Sequence, residues 1–411
     1  MKIRSITYFT NPCWPLDQAV LNQAAAFIEA ARPAFEEAGF EVQTARLATP
    51  PFPKLLPDCK PARVIEFAQG LEAALSPLGF DYLAIGPALP DYPHSYQAIP
   101  AVIAATSKTF ASGVMSSPQH GLSLSAVRAC AQIIHQLGPQ DPNGFANLYF
   151  AALGNVPPGA PFFPAAYHDG LSASFAIATE AADLAVSAFR QAASLGEARQ
   201  NLTSALESHA RKMGAVAQEL TRRLGPSQQL RFGGIDYSLA PFPQVELSLG
   251  TAMEDLGVPT VGAHGSLTAA AIIADTIDRA DFPQAGFSGM MLPVLEDATL
   301  AARAAEGSLT IKDLLLYSAV CGTGLDTVPL PGDTTPEQLN AVLLDLAALA
   351  LRLDKPLTAR LMPIPGKGAG EATSFDFPFF ANSRVMALEA EPLRGHLAGE
   401  EGVVVKSRHA S

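Results

Sequence analysis

The sequence predicts an α/β protein whose mainly parallel sheet is covered by helices on its outside. Strand-like and helix-like segments alternate through the first 150 residues, an order typical of β-α-β units. Apolar residues make up 48% of the chain and charged residues only 16%, so a large buried core is expected. The chain has 411 residues and no short repeat or low-complexity linker, which favours one intertwined barrel over two separate domains.

In the first half, strands are expected at apolar or alternating runs, and helices at Ala-rich runs that end near a glycine. The predicted strands are residues 3–9, 40–47, 80–86, 109–115 and 143–153. The predicted helices are residues 17–38, 61–78, 100–107 and 123–137. Residues 155–170 contain four prolines, so we expect an irregular, anchored loop there.

The second half alternates less regularly. The predicted strands are residues 174–178, 233–243, 285–291 and 357–362. The predicted helices are residues 180–192, 196–224, 245–256, 265–277, 294–303, 311–320 and 336–353. The expected organisation is therefore a single domain with halves at about residues 1–180 and 225–390 and a helical insertion at about 180–225.

Composition and charge restrict the class of partner. The net charge is -12 and the basic residues are scattered, which argues against nucleic acid and anionic membrane. The four cysteines share no C-x-x-C spacing, so a zinc ribbon or redox pair is not indicated. The first nine residues are typical of a strand and not of a signal peptide, and no apolar run reaches membrane length. We expect a cytoplasmic protein with a small-molecule ligand.

Residues 318–333 form the segment with most of the candidate chemistry, and we interpret it as a loop at the floor of a site. Cys321 follows a helical run and is a candidate nucleophile, although a lone cysteine is more often an inert packing residue. Gly322, Thr323 and Gly324 come next and are the expected substrate-binding residues of this loop.

Three aspartates are candidate ligands for a divalent cation, the one cofactor the sequence suggests. Asp326 has no evident structural role, so we also assign it to acid–base catalysis. Asp333 stands just before a predicted helix and has N-capping as its alternative role. Asp376 lies in an aromatic run. Its side chain either points inward to a basic partner or points outward as a polar residue of an alternating strand.

His168 and Lys367 complete the predicted site. His168 precedes an aspartate and suits proton transfer, with an exposed turn as the alternative. Lys367 lies among glycines that could cradle an anionic group, but the order is not that of a P-loop. Asp236, Glu246 and His264 are weaker candidates for the same mouth.

Several motifs together resemble the DUF711 family, also called UPF0210, along nearly the whole chain. They are residues 162–168, 317–326, 329–333 and 374–378. The resemblance implies the fold of the pyruvate formate-lyase and ribonucleotide reductase barrels, in which ten strands form two five-stranded halves that run in opposite directions. It also implies a cytoplasmic homodimer and gives Cys321 a precedent as a barrel-loop thiol.

One departure argues against glycyl-radical chemistry, because Arg384 and Val385 are not followed by the glycine that those enzymes carry. We therefore expect a non-radical enzyme, such as a hydrolase or lyase, for a small polar or anionic metabolite. It would use carboxylate and histidine acid–base chemistry or a bound cation. The alternative is a sensor or carrier that binds a metabolite without converting it.

Overall fold

The computed structural model describes residues 1–408, apart from the side chains of residues 226–228. Within that part of the chain, eleven strands belong to one mixed sheet with helices around it, which confirms the predicted α/β class. The strands are β1 (Lys2–Phe9), β2 (Val42–Ala48), β3 (Tyr82–Ala88), β4 (Thr109–Ser117), β5 (Gly121–Ser123), β6 (Phe150–Gly154), β7 (Ser174–Glu180), β8 (Arg231–Ala240), β9 (Gly324–Pro331), β10 (Leu357–Ile364) and β11 (Gly402–Val403).

The helices connect and flank these strands. They are α1 (Gln18–Glu37), α2 (Phe52–Leu55), α3 (Pro61–Leu75), α4 (Ile99–Ala105), α5 (Leu124–Leu137), α6 (Ala182–Arg190), α7 (Leu195–Gln228), α8 (Leu249–Asp255), α9 (Ser266–Asp278), α10 (Ala298–Glu306), α11 (Ile311–Val320) and α12 (Pro336–Leu353). Within residues 1–408, no helix combines the length and the apolar character that a membrane span requires.

The main path of the sheet has the order β8-β7-β1-β2-β3-β4-β6-β10-β9. β1, β2, β3, β4 and β6 are parallel neighbours, as the alternating first half predicts. β7 and β8 form a parallel pair at one end, and β9 and β10 form another at the other end. Both pairs run antiparallel to the central five strands, because β7 pairs with β1 and β10 pairs with β6 in that sense.

The two faces of the sheet bury different kinds of residue, because successive side chains of a strand point to opposite faces. On β2, Ala45 and Leu47 belong to the large apolar cluster that also contains Leu21 and Phe27 of α1. This cluster is the core between the sheet and its helices. The alternate residue Arg46 lines a cavity on the opposite face.

A connector before α10 contacts both ends of the main strand path. Ile235 of β8 donates its N–H to Pro283 O at 2.8 Å and accepts the Ala285 N–H at 3.0 Å. Further along the connector, Val294 N–H donates to the carbonyl of Asp326 on β9 at 3.0 Å. The predicted strand at residues 285–291 is therefore replaced by an irregular segment with bridges to β8 and β9.

The predicted loop at residues 318–333 is wrong for most of its length, because Gly324–Pro331 is strand β9. The prolines are tolerated since β9 lies at one end of the strand path. Gly324 has φ of 101°, and a Cβ there would lie 2.1 Å from Thr358 O on β10. Only glycine therefore allows this close strand pairing.

Two smaller predictions are also corrected. The predicted strand at residues 143–153 begins only at Phe150, after a turn whose N–H groups bond to the Asp141 carboxylate. Asp333 does not cap α12, because the side chain of Thr335 accepts the Gln338 N–H at 3.3 Å as the N-cap.

Candidate ligand-binding site

A cavity, called here the inner cavity, lies on the face of the sheet opposite to the helices. It is lined from β1, β2, β3, β4, β7, β8 and β10 and from the loops that cover this face. Its volume is about 110 Å³. One buried water needs about 10–15 Å³ by this measure, so the space suits several waters or a small molecule.

Strand register places Arg46 and Tyr82 side by side in the polar part of the wall. Arg46 of β2 is paired with Tyr82 of β3 and, on its other side, with Thr7 of β1. In-register neighbours of a sheet share a face, so these three side chains lie side by side. Arg4 of β1 and Arg360 of β10 also line the cavity.

The apolar part of the wall comes from two loops. Phe162 and Phe163 belong to the predicted Pro-rich loop between β6 and β7, and both are buried. Phe377 and Phe379 come from the aromatic run after β10 and are half-buried. Phe110 of β4 packs edge-on against Phe163 with ring centroids 5.5 Å apart. The cavity thus combines basic groups on strands with aromatic rings on two loops and on β3 and β4.

A chain of alternating charges crosses this face of the sheet. Arg360 donates from Nε to Asp326 Oδ1 and from Nη2 to Glu296 Oε1, each at 2.6 Å. Arg4 donates from Nη2 to the other oxygen of Glu296. Its Nη1 lies 3.9 Å from Glu180 Oε2. The order Glu180–Arg4–Glu296–Arg360–Asp326, called here the ion chain, therefore places each arginine between two carboxylates.

The ion chain sets the charge of its carboxylates. Burial alone would raise the pKa of Glu296, but the guanidinium groups of Arg4 and Arg360 outweigh it and hold this pKa below its usual range. Burial raises the pKa of Asp326, whose Oδ1 accepts a hydrogen bond from Arg360. Asp326 Oδ2 is buried and has no hydrogen-bond partner in the described part of the chain.

Arg46 is the basic group of the inner cavity that stands outside the ion chain. Its Nε donates to Thr44 Oγ1 at 2.9 Å, and no carboxylate within residues 1–408 forms an ion pair with it. The guanidinium carbon lies 5.1 Å from the ring centroid of Phe163 and 5.8 Å from that of Tyr82. Burial and the nearby Arg4 lower the pKa of Arg46 to about 9, which still leaves it cationic at neutral pH.

Asp236 of β8 is the other carboxylate that lines the inner cavity besides Glu296, within residues 1–408. It accepts the N–H groups of Phe287 and Ser288, both at 3.0 Å, and the hydroxyl of Ser238. Burial raises the pKa of Asp236 despite these hydrogen bonds. A carboxyl with a raised pKa in the wall of a cavity is suited to proton exchange.

Cys321 lies away from the inner cavity, in the apolar cluster between the sheet and the helices. Its Sγ accepts the Met290 N–H at 2.7 Å, and burial raises the pKa of the thiol to about 12. Thr323 is buried beside it, and its carbonyl accepts the N–H and hydroxyl of Thr358. Gly322 has φ of 106° and, like Gly324, serves the backbone geometry of this segment.

The three predicted metal-binding aspartates do not converge. Asp326 is buried on Arg360, whereas Asp333 and Asp376 are exposed on separate loops. Across residues 1–408, no group of three or more His, Cys, Asp or Glu side chains could jointly hold a metal ion. The geometry therefore gives Asp326 an ion-pair partner instead of the predicted cation.

His168 and Lys367 lie outside the inner cavity. His168 is buried with Nε2 3.2 Å from Ser172 O and 3.1 Å from Asp169 Oδ1, and it lines a separate cavity of about 390 Å³. Burial lowers the pKa of His168, so its imidazole is neutral at neutral pH. Lys367 donates to the carbonyl of Ala372 and stabilises its own turn. Glu246 and His264 are exposed.

Sequence reasoning identified Asp236 and Asp326 but missed Arg4, Arg46, Arg360 and Glu296. A signal for two of them was present. Arg46 and Arg360 each stand between apolar residues within a predicted strand. A charged residue at such a position faces a buried side of a sheet and must find a partner there.

The chain belongs to the DUF711 family, because the family described as Uncharacterised ACR (DUF711) matches residues 1–382. A UPF0210 protein of Pyrobaculum aerophilum is 31% identical over 399 residues, which cover 90% of this chain and 87% of the relative. One from Acetivibrio thermocellus is 27% identical over 86% of this chain and 80% of its own. One from Pyrobaculum arsenaticum is 37% identical over 62% of this chain and 57% of its own.

Replacing Glu296 by Gln tests the ion chain. The substitution removes the buried carboxylate that Arg4 and Arg360 share. We therefore expect the free energy of unfolding to fall by about 3–5 kcal/mol in urea denaturation. Glu41→Gln is the control, since Glu41 forms an exposed pair with Lys2 at 3.0 Å and should leave the urea midpoint unchanged. Equal midpoints for the two variants would contradict the role of the ion chain.

Thiol labelling tests the environment of Cys321. Cys13 is exposed, while Cys59, Cys130 and Cys321 are buried. With an aromatic disulfide reagent at mildly alkaline pH, the native protein should react rapidly at Cys13 alone, and the Cys13→Ser variant should not react until it is unfolded. Peptide mass spectrometry identifies the labelled site. Rapid native labelling of Cys321 would restore it as a nucleophile.

Proposed function

We propose that the protein binds a small anionic metabolite in the inner cavity, with Arg46 as the group that holds the anion. The observation that carries the proposal is a half-buried arginine in the cavity wall that forms no ion pair with a carboxylate in the described part of the chain. A charge that is partly withdrawn from water is stabilised by a partner of opposite charge, so the site is poised for a negatively charged ligand.

The pattern of ion pairs favours a single negative charge on the ligand. Arg4 and Arg360 are already engaged by Glu180, Glu296 and Asp326, which leaves one guanidinium for the ligand. The two Nη groups of a guanidinium match the two oxygens of a carboxylate. The phenylalanines beside Arg46 provide an apolar wall for the rest of the molecule. We therefore assign the ligand class as monocarboxylates with a flat or apolar body.

Within this proposal the protein is an enzyme, and Asp236 is the group that exchanges a proton with the ligand. Asp236 lines the same cavity as Arg46, and burial raises its pKa. The alternative is binding without conversion. Asp236 accepts hydrogen bonds from two backbone N–H groups and a hydroxyl, a pattern that also stabilises a loop. This structural role of Asp236 favours the alternative. A carrier would return its ligand unchanged after incubation, whereas an enzyme would convert it.

The same proposal includes a closed sheet around the cavity. We infer that the connector at residues 283–294 serves as a tenth strand between β8 and β9. The bonds from Ile235 to Pro283 and Ala285, and from Val294 to Asp326, support this closure. The barrel would then have five strands in each direction, as the resemblance to pyruvate formate-lyase barrels implies. The limits of the two halves, the helical insertion at about residues 180–225 and the homodimer stay predictions.

Benzoate and benzamide test the anion site, because they share a shape and differ in charge. By calorimetry the protein should bind benzoate about tenfold more tightly than benzamide. Arg46→Met should abolish this preference, whereas Arg46→Lys keeps the charge and should retain part of it. Arg63→Met is the control, since Arg63 forms an exposed pair with Asp58 at 2.9 Å. Equal binding of the two compounds, or unchanged benzoate binding by Arg46→Met, would refute the proposal.

A further inference from the structure

A second cavity, called here the vestibule, adjoins the inner cavity on the side of the aromatic loop after β10. Its volume is about 360 Å³. It shares Tyr82, Phe110, Leu148 and Phe377 with the wall of the inner cavity. One set of side chains therefore borders both spaces, and Tyr82 and Phe110 of this set pack edge-on with ring centroids 5.5 Å apart.

Aromatic rings form most of the vestibule wall. Six of its nine lining residues are Phe or Tyr. Phe110 and Tyr149 have ring centroids 4.8 Å apart at 44°, and Phe145 and Phe377 are 5.1 Å apart at 77°. The rings of each pair are thus inclined to one another and not stacked face to face. The face of an aromatic ring carries partial negative charge and attracts cations.

Asp376 is the charged residue of the vestibule wall, which contains no lysine or arginine among the residues described. Its side chain is exposed, and no basic group within residues 1–408 forms an ion pair with it. A carboxylate beside several aromatic rings is the arrangement that holds ammonium and quaternary ammonium groups. The vestibule and the inner cavity are therefore complementary to opposite charges.

We propose that the ligand is a zwitterion whose carboxylate binds Arg46 and whose ammonium group lies in the vestibule against Asp376. This inference rests on the proposed function for its carboxylate end and on the vestibule for its cationic end. It assigns Asp376 to recognition of a cation on the substrate, and the aromatic run after β10 becomes part of the binding site. An apolar tail in the vestibule is the competing interpretation.

Matched pairs of probes separate charge from shape. The first pair is choline and 3,3-dimethylbutan-1-ol, which differ in one atom and in charge. The second pair is an ω-trimethylammonio carboxylate and the ω-tert-butyl carboxylate with the same spacer, tested over a series of spacer lengths. Calorimetry with the full chain should give about tenfold tighter binding of the charged member of each pair.

Two substitutions test which residue binds each end of the probe. Asp376→Asn changes an exposed side chain and should weaken the trimethylammonio carboxylate about tenfold without affecting its tert-butyl partner. Asp333→Asn is the control, because Asp333 is an exposed aspartate that lines neither cavity. Arg46→Met should weaken both members of the pair equally.

The outcomes distinguish this inference from the function on which it rests. Equal affinity for the trimethylammonio and tert-butyl carboxylates overturns the zwitterion and leaves the anion site in place. Unchanged binding of both carboxylates by Arg46→Met overturns the proposed function and the zwitterion with it. Weakening by Asp333→Asn as large as that by Asp376→Asn overturns the role of the vestibule.

Discussion

The rest of the site depends on the buried ion chain. Its three carboxylates and two guanidinium groups stabilise one another on the inner face of the sheet, where most of them are buried. Glu180 and Arg4 lie on β7 and β1, and Asp326 and Arg360 lie on β9 and β10. Glu296 joins the two pairs from the connector. The chain thus links strands near both ends of the sheet and fixes the orientation of the arginines around the cavity.

This arrangement explains why a single arginine is left for a ligand. Each oxygen of Glu296 accepts from a different guanidinium, and Arg360 also holds Asp326. Arg46 is one strand away from Arg4, and the ring of Phe163 contacts its guanidinium. Rigid neighbours of this kind keep a binding group in position before its ligand arrives, which lowers the entropic cost of binding. Selectivity then follows from the aromatic walls around it.

The sequence predicts the central parallel strands well, because their apolar alternation and the Ala-rich helices between them are local signals. It fails at β9, where Gly324 and Pro329 are typical of a loop, yet the strand is held by its pairing with β10. The sequence also does not predict the ion chain. Arg4 and Glu296 are 292 positions apart, so no spacing in the sequence connects them.

The candidate site residues show the same difference between local and long-range determinants. Asp326 was singled out because it has no local structural role, and its partner is the distant Arg360. Cys321 was favoured by its neighbouring glycines, but these reflect close backbone approaches, as at Gly324 against Thr358. Charged residues inside predicted strands are the better guide in this chain, because burial forces them to find partners.

The most direct measurement is a crystal structure of the protein purified without added ligand and refined against high-resolution data. We predict electron density for a small anion within hydrogen-bond distance of the Arg46 Nη atoms, with the ion chain arranged as described. An Arg46 side chain that is turned onto a carboxylate of the protein itself, in a cavity that holds only water, would contradict it.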